Sequence, residues 1–196
     1  MSLCLENQKP AWRRSAAAVL AAAAAACSPA LDWRDAGLGA PVPALLPCKP
    51  ERADRAVPLL GPQAAPVTLR MASCVAGGVT WALAEVTLPA GADVEAALAA
   101  WTRAAWATLG VVPEAGAALP AGWAEVPCAG RGSAQQRCLR GPGRAADGRA
   151  VVAELHWSAR GPWLVQAAAY APPGAALPAP AHEAFFGALA WRGAGS

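Results

Sequence analysis

Glu154 and His156 stand two residues apart in a run that alternates apolar and polar. In a strand that spacing puts both side chains on one face. A carboxylate beside an imidazole is a pairing used for general acid–base work, and both are metal ligands. The only other histidine, His182, sits next to Glu183 near the start of a C-terminal helical pattern. Ser133 and Ser158 have no base at a telling spacing, and neither G-x-S-x-G, H-E-x-x-H nor a P-loop occurs. Two glycine-rich phrases, Gly130-Arg131-Gly132-Ser133 and Gly141-Pro142-Gly143-Arg144, do not follow a strand and open a helix as a phosphate cradle must. Both read as turns. The residue types therefore predict no catalytic set, no metal site and no cofactor. Glu154 and His156 are expected on a solvated strand face, and His182 as a polar residue at a helix end. Were a ligand pocket to lie between sheet and helix, Glu154 and His156 would be its expected polar groups.

The cysteines carry a second chemistry, set by compartment. Lys9, Arg13 and Arg14 precede an apolar, alanine-rich run that ends at Cys27, the layout of an export signal over residues 1–27. That run is too short for a spanning helix, which needs roughly 20 apolar residues. Ala24, Ala25 and Ala26 before Cys27 resemble a bacterial lipobox, which makes Cys27 the expected lipidation site, although the usual leucine three places before the cysteine is replaced by Ala24. The same alanines fit an ordinary A-x-A cleavage site, and an uncleaved N-terminal anchor is the third option. Cys48, Cys74, Cys128 and Cys138 remain after the signal. They show no C-x-x-C knuckle and have no neighbouring histidine, so disulfides are expected rather than zinc. The sequence-local pairs are Cys48–Cys74 and Cys128–Cys138.

Removing residues 1–27 takes away Lys9, Arg13, Arg14 and Glu6 and lowers the formal charge from +3 to +1. A near-neutral domain does not suit nucleic acid, which needs several phosphate-neutralising cations. Arg131, Arg137, Arg140, Arg144 and Arg149 do cluster in sequence and read as a solvated basic loop.

Residues 28–44, rich in Pro, Gly and Ala, read as a tether, 45–192 as a single domain and 193–196 as a tail. Strands are expected at 55–60, as an edge because of Pro58, at 67–71 and at 79–88, the last two joined as a hairpin by Gly77-Gly78. Val94, Leu98, Trp101, Ala105 and Leu109 recur at helical spacing over 93–109, with Asp93 as cap and Gly110 as stop. Trp106 falls off that stripe and is expected to meet a loop. A second hairpin is expected around 123–140, a turn over 141–148, strands at 151–158 and 163–171, and a helix over 181–191. The order β-β-β-α-β-β-β-α predicts an α+β domain: an antiparallel sheet with one long and one short helix packed on it.

Leu46-Pro47-Cys48-Lys49-Pro50, the helix ending at Gly110, Gly130-Arg131-Gly132, Gly148-Arg149-Ala150-Val151, Gly161-Pro162-Trp163-Leu164-Val165-Gln166 and Phe185-Phe186 follow one another in turn. In this succession the chain resembles a proteobacterial exported lipoprotein family with a PsbP-like α/β/α sandwich domain. Cys48 stands where that pattern usually has glycine. The resemblance implies a fold and supplies no catalytic residues. Together the features lead to the expectation of a non-catalytic binding or interaction module of the cell envelope. It would be periplasmic and lipid-anchored, at the outer membrane given Ser28 after Cys27, with an envelope protein as partner. The alternatives are a small-ligand carrier or enzyme with a sheet–helix pocket, and a structural envelope protein.

Overall fold

The computed structural model describes residues 31–192. Cys27 and the export signal lie outside the described residues, as does the tail. The elements in chain order are β1 (Arg34–Asp35), β2 (Leu45–Leu46), β3 (Glu51–Val57), β4 (Val67–Ala76), β5 (Val79–Thr87), α1 (Val94–Thr108), β6 (Ala124–Glu125), β7 (Gln135–Arg144), β8 (Ala150–Arg160), β9 (Trp163–Ala171) and α2 (Ala179–Phe186). The domain is α+β. Its main sheet runs β3-β4-β5-β9-β8-β7-β6, every pair antiparallel, and β1 with β2 forms a separate ribbon. Two additional two-residue strands, β1 and β2, were not expected, and β6 is the short first strand of the hairpin expected around 123–140.

Local chemistry explains most boundaries. The β4–β5 hairpin turns on Gly77 and Gly78 at φ 60° and 75°, the pair of positive angles that a two-residue type I′ loop needs. Strand β3 starts and stops earlier than expected, because Pro58 lacks the N–H that would extend the ladder beyond Val57. Asp93 caps α1, its Oδ1 accepting from Ala96 N at 3.0 Å. The expectation of one long helix is corrected: both helices are short, with 15 and 8 residues, and α2 ends at Phe186 instead of residue 191.

The expected turn over 141–148 is also corrected, since 141–144 belong to β7. A Cβ on Gly141 would lie 2.4 Å from the Trp123 ring, so glycine serves close packing there, not a bend. Beyond Arg140 no strand pairs on the outer side of β7, which leaves Pro142 at a sheet edge. Trp123 closes the contact with an Nε1 hydrogen bond to Pro142 O at 3.0 Å and meets Trp106 edge-on at 5.9 Å, the loop contact expected for Trp106.

Both faces of the sheet are covered. On one, Ala97, Leu98, Trp101 and Trp106 of α1 pack against Leu139, Leu155, Trp157 and Leu164. On the other, Phe185 and Phe186 of α2 join Trp81, Leu83, Ala167 and Ala169, together with Ala36, Ala44 and Leu46. Residues 31–44 were expected to be a tether. Instead Ala36, Ala40, Val42 and Ala44 are buried, so this segment is part of the packed domain. Cys48–Cys74 and Cys128–Cys138 are bonded. These bridges point to an oxidising, extracytoplasmic compartment. Among the described residues no helix is long and apolar enough to cross a membrane.

Candidate functional site

Strand β8 alternates as expected, with Ala153, Leu155 and Trp157 toward α1 and Glu154, His156 and Ser158 on the opposite face. That second face is not solvated. His156 is 1% exposed and Glu154 7%, because α2 and the chain after it lie over them. His156 stacks on Phe186 at 4.0 Å, and His182 of α2 sits against the same ring at 4.9 Å. The result is a cluster that local spacing does not announce: Glu154 Oε1 lies 3.0 Å from His156 Nε2 and 2.7 Å from His182 Nε2. An ionised carboxylate only accepts, so each imidazole presents Nε2–H to it. Ser158 Oγ accepts from Trp191 Nε1 at 2.6 Å, tying down the chain after α2. Among the described residues no group of three or more His, Cys, Asp or Glu is arranged to hold a metal ion. The cluster braces α2 against the sheet.

Burial raises the pKa of Glu154, but the hydrogen bonds from His156 and His182 and their charges outweigh it, so the net shift is downward. Folded protein therefore holds the Glu154 proton less readily than unfolded chain, and its contribution to stability grows with pH. That contribution is complete above the unfolded carboxylate range, about 4.3, and is lost as pH falls through the lower folded value. Glu154→Gln is expected to lower the melting temperature at pH 7 by an amount that shrinks as pH falls below the ordinary carboxylate range, read by circular dichroism. A constant offset across that range would contradict the brace.

A sheet–helix pocket, an alternative in the sequence reading, lies on the opposite face of the sheet and is built from residues that reading did not name. Between α1 and strands β3, β4 and β5 a chamber of about 450 Å3 opens, floored by Val57, Leu69, Met71, Ala82 and Ala84 and bordered above by Trp101, Ala104, Ala105 and Thr108. Ligand sites commonly measure about 300–1,000 Å3. The space is largely apolar, with Arg55, Ser73, Thr80 and Thr108 also in its lining; Gln166 is its buried polar residue, 8% exposed, and its Nε2 has no hydrogen-bond partner. Tyr170 lines it too, and burial pushes its phenol up to about 12, so the hydroxyl keeps its proton. Neither Glu154 nor His156 lines the chamber. The readable signals were Gln166 within an apolar strand and small residues at Ala104 and Ala105 facing Ala82 and Ala84.

A second cavity, about 700 Å3, adjoins the first and shares Thr80, Thr108 and Tyr170 with it; Arg144, Asp147 and Arg149 of the β7–β8 turn line its far side. The five clustered arginines do not form one surface. Arg137 lies over the Trp106 ring at 5.8 Å, while Arg131 bridges to Ala190 after α2. The Gly130 loop is likewise structural, since a Cβ there would meet Leu189 O at 2.7 Å. Set against family models, curated proteins and solved structures, the chain finds no match.

Proposed function

We propose that this chain is an exported, non-catalytic binding module of the cell envelope that holds a small, largely apolar molecule in the chamber between α1 and β3–β5. The observation that carries this reading is the chamber itself, about 450 Å3 of largely apolar space between helix and sheet with Gln166 and Tyr170 among its lining. The disulfides and the Arg13 to Cys27 segment support export to the periplasm, with acylation of Cys27 as the tether. Helices on both faces of one antiparallel sheet suit the PsbP-like resemblance. An envelope protein docking on the sheet edge ranks second. The exposed edge strand β3 carries Glu51, Arg52, Asp54 and Arg55, charges of the kind that deter strand pairing.

The neutral dye N-phenyl-1-naphthylamine tests the reading. The protein is expected to enhance its fluorescence saturably. Ala82→Trp, at the chamber floor, and Ala104→Trp, at its rim, should each weaken binding about tenfold or more, equivalent to roughly 1.4 kcal/mol. Absence of saturable binding, or wild-type binding by both well-folded variants, would refute it.

A further inference from the structure

We infer that the ligand is an anionic single-chain amphiphile, its tail in the apolar chamber and its head at Arg144 in the adjoining cavity. The inference rests on the chamber reading and adds the class of molecule. Three observations lead to it. The two cavities share Thr80, Thr108 and Tyr170, so a molecule lying in the apolar chamber extends directly to the β7–β8 turn. That turn is cationic: Arg149 Nε is paired with Asp147 Oδ2 at 2.6 Å, whereas Arg144 Nη1 donates to the Gly148 carbonyl at 3.2 Å, which leaves the Arg144 charge unneutralised. No carboxylate lines the apolar chamber, where exposed Arg55 is the single charged residue, whereas the adjoining cavity has Arg144 and Arg149 against one carboxylate, Asp147, which Arg149 holds.

The polarity gradient has the sense an amphiphile requires. Alkyl carbons would meet Leu69, Met71 and Ala82, the protonated Tyr170 hydroxyl would stand at the junction as a donor, and an anionic head would reach guanidinium. A chamber of about 450 Å3 is large enough for one medium-length alkyl chain. Gln166 lies four residues along β9 from Tyr170, about 13 Å farther along the strand, so the lining spans the length of an extended alkyl chain. A carboxylate and a phosphate head share this chemistry.

The probe is 11-(dansylamino)undecanoic acid, compared with its methyl ester. The acid is expected to bind about tenfold more tightly than the ester, the scale of a charge-assisted hydrogen bond. Arg144→Gln, on an exposed turn, should bring the affinity for the acid down to that for the ester, and Arg149→Gln should have a smaller effect. Displacement by laurate alone assigns a carboxylate head, and displacement by dodecyl phosphate alone a phosphate head. Equal affinity for acid and ester, or an acid preference that survives Arg144→Gln, would overturn the inference and leave the chamber standing. Failure of both probes and of the neutral dye would overturn the chamber itself.

Discussion

Glu85→Ala is expected to destabilise the protein by about 2–4 kcal/mol and to expose residues 37–42 to protease. Glu85 is 1% exposed, and its carboxylate accepts from Gly39 N at 2.8 Å and from Ala40 N at 2.7 Å. It is the anchor by which the N-terminal segment adheres to the sheet. Arg70 stands 3.5 Å away, but its side chain is 54% exposed, so water screens most of that attraction. The main loss is two backbone donors left without an acceptor, each worth about 1–3 kcal/mol. Ala40 and Val42 would then part from Val165 and Trp191, and the Arg192 N to Pro41 O hydrogen bond would fray with them. At this chain length the melting temperature should fall by about 5–12 °C. Glu85→Gln, which keeps one acceptor oxygen, should recover part of the loss. Wild-type melting and protease resistance in Glu85→Ala would show that the anchor is not energetic.

Cys48→Ala with Cys74→Ala is expected to cost a comparable amount, about 3.5 kcal/mol on the loop-entropy account for a separation of 26 residues. The bond joins the segment after β2 to β4, so it holds the same N-terminal flank that Glu85 holds from β5. The two restraints act on one segment and should therefore not be additive. The triple variant should lose less than the sum of the separate losses, measured by urea denaturation. A double cysteine variant with unchanged midpoint, or strict additivity, would contradict this picture.

The parts of the fold that could be read from sequence are those in which local chemistry and tertiary structure agree. The Gly77-Gly78 hairpin, the Asp93 cap and the helical stripe from Val94 onward needed no distant partner. The misreadings share one cause, which is that the partner lies far along the chain. Glu154 and His156 look like a wet strand face until α2 arrives, with His182 contributing from 28 residues away. Residues 31–44 look like a tether because Pro, Gly and Ala offer no stripe, and their anchor is a carboxylate 45 or 46 residues away. Gly141 reads as a turn until Trp123 is seen to occupy the space of its missing Cβ. The chamber was least legible because small side chains define it, and in an alanine-rich chain they carry little signal.

Met71 offers the most direct test of the central claim, since the chain has two methionines and the other, Met1, is its first residue. Met71 lines the floor of the chamber. With methyl-13C methionine, its resonance should shift saturably as 11-(dansylamino)undecanoic acid is added, with the midpoint found by fluorescence, and Ala82→Trp should suppress the shift. Saturable probe fluorescence with an unmoved Met71 methyl would place the ligand elsewhere and contradict the account.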